Sequence, residues 1–272
     1  MSTVSGETPL YRGIADELRY QILEGELAGG ARLPTEKELA DQHEVSRNTV
    51  RQALNALANE GLISSGRARA GRVVRKIDRM TWNEDAVTPG EKTRGNGVDD
   101  FMSQATALGL EASEQILVRV VTAESWLVRL LRLDEPKPWE NPVDDTQKAT
   151  VEREKKLLAM RRRYRQIGGE VSQVCDSFYP YGLVKLSAIM QPTDIGVGAI
   201  KMLEQQGYVQ RRYEDEITTR MPRPDETHEL GIAPGVPVFV HLRIGFADEG
   251  PLRVTRTIMP GDRHTLRYII PA

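Results

Sequence analysis

Leu10, Ile14, Leu18 and Ile22 recur every four positions, which predicts an amphipathic helix over about Tyr11–Glu24, ended by Gly25. "LPTEKELADQH" opens a second helix, with Thr35 as cap and Glu38 spaced to reach back, a capping box. After the short connection "HEV", Ser46 caps a third helix. Its apolar stripe is Val50, Ala53, Leu54 and Leu57, and it stops at Gly61. Two helices joined this tightly make a helix-turn-helix. Next, "LISSGRARAGRVVRK" predicts two short strands, about Leu62–Ser65 and Arg72–Arg75, around a loop carrying Arg67 and Arg69. Gly66 and Gly71 give that loop its backbone freedom. A helix-turn-helix followed by a basic hairpin is a winged helix.

Polar residues and turn formers from about Ile77 to Gly97 read as a linker. The expected division is a winged-helix domain over 1–78, a linker over 79–97 and a second domain over 98–272. That second domain alternates in texture. Asp99–Leu108 predicts a helix, "EQILVRVVTA" a strand and "ESWLVRLLRL" a helix. Residues 134–153, charged and proline-bearing, look like a surface loop or a partly ordered insertion. "KKLLAMRRRYRQIGGEVSQVCDSFYP" predicts a hairpin turning at Gly168–Gly169. A helix in "GVGAIKMLEQQG" and strands in "YEDEITTRM", "PVFVHLRIGFADEGPLRVTRTIM" and "RHTLRYII" complete it. The fold class is α+β with a largely antiparallel sheet.

Composition narrows the function. The 272 residues include 39% hydrophobic ones, enough for two cores. There is no run of eighteen apolar residues and no basic-then-apolar leader, so no membrane partner is expected and the expected location is the cytoplasm. A single cysteine, Cys175, fits a reducing compartment, and four scattered histidines give no metal spacing. No cofactor is implied. The formal charge of -2 hides an asymmetry: residues 43–79 hold 8 basic and 3 acidic side chains, a local +5. Positive charge concentrated on one segment is the electrostatic footprint of a nucleic-acid binder.

The first turn of the third helix carries the chemistry for reading bases. Arginine can bond two acceptors of guanine, and asparagine can pair similarly with adenine. Hydroxyls and unpaired N–H groups at a helix start can hold phosphate. Ser46, Arg47, Asn48, Thr49 and Arg51 are of these types. Thr35 and Lys37 stand where a second helix meets backbone phosphate, and Arg67, Arg69 and Gly71 form the wing. The plainer reading makes Ser46 only a cap and Arg47 and Arg51 one solvated face. The capped helix before them and the basic hairpin after them favour DNA.

"RLPTEKELADQHEVSRNTVRQALNALANEGLISSGRARAGRVV" closely resembles the N-terminal domain of the GntR family of bacterial transcription regulators, over about residues 9–75. The family pattern is LPSE-x-ELA, then VSR-x-TVR-x-AL-x-x-L-x-x-EGLI, then a glycine-bearing wing. Thr35 replaces the usual serine, and the wing reads "RAGRVV" where G-x-G-T-F-V is common. The resemblance implies DNA contacts from Arg47, Thr49 and Arg51, with Lys37 at a phosphate-contacting position. Residues 98–271 resemble the UTRA ligand-sensing domain of the HutC branch, through "RRRYRQIGGEVSQVCDSFYP" and "FADEGPLRVTRTIMPGDRHTLRY". Gly168 and Val171 depart from that pattern's acidic residue and proline. A UTRA domain implies a chorismate-lyase-like fold, a homodimer and a small, often anionic effector. By the same resemblance, Arg163 and Arg165 lie on one strand face as an effector clamp, with Tyr179 at the pocket edge. "RRRYR" also reads as a solvated edge strand, or as a partner of the acidic "YEDE".

The leading expectation is a dimeric DNA-binding repressor, modulated by an effector and bound to a near-palindromic operator. A constitutive repressor without effector is a second reading. An enzyme with an appended DNA-binding module is a third, with Glu170 and Asp176 as its only candidate carboxylates and no partner group in view.

Overall fold

A computed structural model of the protein describes residues 9–64, 72–75, 80–85, 100–140 and 144–269. The described residues fall into two compact units. One gathers those of 1–79 with 221–237 and 261–263; the other holds those of 80–220, 238–260 and 264–272.

In the first unit, α1 (Leu10–Leu23), α2 (Glu36–Gln42) and α3 (Arg47–Asn59) pack their apolar stripes together. Ile14 and Leu18, Leu39 and Ala40, and Val50, Ala53, Leu54 and Leu57 are all buried. Local chemistry sets the boundaries. Thr35 Oγ1 accepts from the Glu38 N–H at 3.2 Å, and Glu38 accepts from the Thr35 N–H at 2.7 Å, which completes the capping box. Glu44 takes a left-handed φ of 53° between α2 and α3, so the chain turns within the four residues 43–46. At the end of α3, Leu62 N–H reaches the Leu57 carbonyl and Gly61 N–H the Ala58 carbonyl, the paired bonds of a Schellman motif. Gly61 supplies the φ of 73° this requires.

The strand segments around the wing pair as expected through Ile63 and Val74, and a third segment joins them by the Arg32–Val73 bridge. The unit also contains α9 (Pro224–Glu229) and the apolar residues Leu230, Ile232 and Val236, all buried. Gly235 lies so close to α3 that a Cβ there would meet the Asn59 carbonyl at 1.2 Å. The segment 221–237 therefore departs from a boundary drawn once along the chain. Its short apolar stretches lack the length to announce where they pack.

The second unit is built on a six-stranded antiparallel sheet in the order β2-β3-β4-β7-β6-β5. The strands are β2 (Ala112–Thr122), β3 (Leu157–Ile167), β4 (Glu170–Pro180), β5 (Arg212–Arg220), β6 (Val238–Ala247) and β7 (Gly250–Pro260). Gly168 and Gly169, both at positive φ, make the two-residue β3–β4 turn. Among the described residues five α-helices accompany the sheet: α4 (Asp100–Ala107), α5 (Ser125–Leu130), α6 (Asp145–Glu154), α7 (Tyr181–Val184) and α8 (Ala199–Gln205).

Three expectations change here. Residues 80–85, read as linker, form β1 (Met80–Asp85), which pairs in parallel with β8 (His264–Ile269). Strand pairing with a segment about 180 residues away leaves no local signal. The stretch 134–153, open between a surface loop and a partly ordered insertion, takes the second form: Asp144 caps α6 by accepting from the Gln147 N–H at 2.7 Å. And β3 is an interior strand, so "RRRYR" is not a sheet edge.

Candidate nucleic-acid interface and effector face

On α3 the polar and apolar residues separate by turn. Ser46 Oγ accepts from the Thr49 N–H at 3.1 Å and lies 2.8 Å from Thr49 Oγ1. Arg47 and Asn48 are exposed just beyond this cap, while Val50 and Ala53 are fully buried behind it. The free N–H groups and the positive end of the peptide dipoles favour an anion at this point.

Arg51 is less independent than its spacing suggested. Its Nε and Nη2 donate to the Glu36 carboxylate at 3.3 and 3.0 Å, across to the first turn of α2. That bond raises the arginine's pKa and holds the Glu36 carboxyl below its usual range. Thr35 is exposed, but its hydroxyl is engaged with Glu38 within the capping box. Lys37 beside it is exposed. Arg72 donates to the Leu54 carbonyl at 2.9 Å and to Asn55 Oδ1 at 2.6 Å, so it fastens the strand after the wing to α3. Arg67, Arg69 and Gly71 lie outside the described residues.

In the sheet, cross-strand register sorts the polar residues into rows on one face. One row runs Ile116–Arg163–Cys175–Thr257–His241–Ile217, and the next runs Val118–Arg161–Ser177–Thr255–Arg243–Asp215. Arg253, Gly245 and Tyr213 form part of a third. Apolar clusters flank these rows. Tyr179, Leu183, Val184 and Leu203 lie in one, and Phe101, Ala105 and Met259 in the other.

Arg163 and Arg165 do share this face, but their partners differ. Arg163 Nη2 donates to Cys175 Sγ at 3.2 Å, in the centre of the face. Arg165 sits at the far end, bonded to Glu114 at 3.2 Å with its guanidinium 5.3 Å from the Phe101 ring centre. Tyr179 is buried within the α7–α8 cluster. The face also holds residues the motif did not single out: Arg161, Arg243, Arg253, Gln173 and His241. The spacing "RVTRT" carried a signal for one of them, because alternation puts Arg253, Thr255 and Thr257 on one side.

Most of these cations are satisfied internally. Arg161, 4% exposed, donates to the carbonyls of Gln191 and Thr193 at 2.5 Å each and so staples the loop before α8. Burial lowers its pKa. Arg243 forms a two-pronged pair with Asp215 at 2.6 Å, and His241 Nε2 stands 3.2 Å from the same carboxylate. The acidic "YEDE" thus pairs with β6 rather than with "RRRYR". Asp176 lies on the opposite face, where Arg162 and Arg256 neutralise it at 2.7–3.0 Å. Among the described residues no group of three or more His, Cys, Asp or Glu side chains could hold a metal ion. None of their helices is long and apolar enough to cross a membrane.

Comparison with known proteins agrees with this geometry. Residues 10–73 match the model of bacterial regulatory proteins of the gntR family, and residues 138–265 match that of the UTRA domain. The chain is 35% identical over 129 residues to the mannosyl-D-glycerate transport/metabolism system repressor MngR of Escherichia coli (strain K12). That match takes in 47% of this chain and 48% of MngR. It is 40% identical over 88 residues to the transcriptional repressor NagR of Bacillus subtilis (strain 168), taking in 32% of this chain and 36% of NagR. These matched stretches therefore span half or less of either relative. Among solved structures, a putative GntR-family transcriptional regulator is similar in fold over 97% of this chain and 98% of its own, with a TM-score of 0.64 at 21% identity. PhnF from Mycobacterium smegmatis is similar over 95% and 99%, with a TM-score of 0.53 at 22% identity. The chain thus carries a helix-turn-helix domain of the gntR family of bacterial regulatory proteins first and a UTRA domain second.

Proposed function

We propose that this protein is a DNA-binding transcriptional repressor, acting in the cytoplasm as a homodimer on a near-palindromic operator. The observation that carries the reading is the polar first turn of α3, exposed from Ser46 to Asn48 and set on a fully buried apolar base. Two copies would place this turn in successive major grooves, with Arg47 and Asn48 on base edges. Ser46, Thr49 and the start of α2 at Thr35 and Lys37 would meet phosphate, and Arg51 would join them by sharing or leaving Glu36. Arg67, Arg69 and Gly71 would follow the wing into the neighbouring groove. The matched relatives named as repressors support the same direction.

We further propose that a small anionic effector binds the arginine-bearing face of the sheet through Arg163, with Arg165 and Tyr179 bounding its site. Binding would change the relative orientation of the two winged helices of the dimer through the linker and weaken operator affinity. The effector-free repressor has one observation in its favour: Arg161, Arg165 and Arg243 already have internal partners. An enzyme has little support, because Asp176 is consumed by two arginines on the opposite face.

Footprinting on the DNA upstream of the protein's own gene tests the reading. A protected, two-fold-related site is expected, with affinity falling steeply as salt rises. Protection of no discrete site would remove it.

A further inference from the structure

Arg253 differs from Arg161, Arg165 and Arg243 on its face. It is 8% exposed, yet among the described residues it forms no ion pair. Its Nε has no hydrogen-bond partner, and its Nη1 reaches only Thr255 Oγ1, at a long 3.4 Å. Its guanidinium lies 5.9 Å from the centre of the Tyr213 ring. A buried cation held this loosely is costly unless something else completes its bonding.

A second incomplete group stands beside it. Gly245 is the direct cross-strand partner of Arg253 on one side and of Tyr213 on the other. A Cβ at Gly245 would lie 1.9 Å from Gln210 Nε2, so the Gln210 carboxamide occupies the place of a side chain in this row. Both its Nε2 and its Oε1 are buried without a hydrogen-bond partner. Paired side-chain positions on one sheet face stand about 5 Å apart. The missing residue at 245 therefore brings an amide with one free acceptor and two free donor hydrogens next to a guanidinium whose Nε has no partner. Native interiors leave few such groups, and two neighbours of complementary type share one explanation.

We propose that Arg253 and Gln210, set over Gly245 and walled by Tyr213, form a recognition subsite for an oxyanion that carries a neighbouring hydroxyl. Arg253 takes the anionic oxygens, and Gln210 both accepts from the hydroxyl and donates to it. Tyr213, 39% exposed on the edge strand β5, is the side from which the ligand enters. This rests on the effector reading above but assigns the specificity to a different row from Arg163. A hydroxy acid and a hydroxylated phosphate both fit the chemistry.

The test measures ligand affinity of the full-length protein by thermal shift and calorimetry. Two matched probe pairs are used: citrate against tricarballylate, which lacks the hydroxyl, and glycerol 3-phosphate against inorganic phosphate. The hydroxylated member of one pair should bind at least tenfold more tightly, and the pair that responds separates the carboxylate source from the phosphate source. Arg253→Gln should weaken that binding about tenfold or more, as expected for a lost bond to a charged group. Gln210→Ala and Gly245→Ala, the second displacing the amide, should erase the preference for the hydroxyl while the anion still binds. Circular dichroism and DNA binding without ligand should be unchanged in Gln210→Ala, which guards against a folding defect. Binding that disappears in Arg163→Ala but survives Arg253→Gln and Gln210→Ala would overturn the subsite and leave the effector reading standing. Absence of binding by every probe to the wild-type protein would overturn both.

Discussion

The start of α3 and the polar face of the sheet are both rich in arginine and hydrogen-bonding side chains, yet they distribute them in opposite ways. On α3 the polar groups sit outside an apolar base, and Arg47 and Asn48 are exposed. On the sheet most cations are turned inward and matched: Arg161 to carbonyls, Arg165 to Glu114, Arg243 to Asp215. On the reverse face Arg162 and Arg256 share Asp176. Density of arginine therefore does not locate a binding site. What locates it is the bonding left over after internal partners have been counted. On α3 that remainder is Arg47 and Asn48, and on the sheet it includes Arg253 and Gln210.

Breaking the internal matching should cost stability, most of all where the carboxylate is deepest. Asp176 is 2% exposed and accepts three bonds from two arginines. Asp176→Ala should destabilise the sheet unit by about 2–4 kcal/mol, below the full penalty for a wholly buried pair because both arginines are about one-quarter exposed. Denaturant unfolding followed by circular dichroism measures it, and a loss under about 0.5 kcal/mol would mean the pair is ornamental.

Asp215 gives the same contrast a pH dependence. Burial pushes its carboxyl upward, but the bonds from Arg243 and the contact from His241 outweigh this and leave its pKa lowered. A carboxyl lowered on folding stabilises above its unfolded pKa of about 3.9 and loses that contribution as the pH falls through the folded value. Stability should therefore drop as the pH falls below about 4, with a shallower drop in Asp215→Asn. Identical acid limbs for the two proteins would remove Asp215 from the account.

The smallest effect on stability belongs to the start of α2. Thr35→Ala removes one side of the α2 capping box and should cost about 1 kcal/mol. Thr35→Ser, which keeps the hydroxyl, should restore it in a thermal melt.

Legibility in the sequence follows the range of the interactions. The three helices of the first unit were readable because their stripes, caps and terminal glycine are local: Ser46, Thr35 with Glu38, and Gly61 each act within a few residues. The strands on either side of the Gly168–Gly169 turn were readable for the same reason. The pairing of β1 with β8, the packing of the segment around Gly235 against α3, and the interior place of β3 depend on partners far along the chain. The candidate residues divide similarly. Arg163 and Arg165 lie on one face, as strand alternation requires, but nothing near "RRRYR" reveals that Glu114 binds one of them. Glu36 had no assigned role beside Arg51, because the two meet only when α2 and α3 pack. Gln210 became visible only through the glycine it lies over.

The central claim is that the first turn of α3 reads DNA sequence. Fluorescence anisotropy of wild-type and Arg47→Ala proteins on the footprinted operator and on a scrambled duplex of equal length tests it most directly. If Arg47 makes a two-bond contact to a base, the variant should lose about 1–3 kcal/mol on the operator and far less on the scrambled duplex, so the ratio of the two affinities collapses. An equal loss on both duplexes would reduce Arg47 to a phosphate contact, and an unchanged operator affinity would contradict the claim outright.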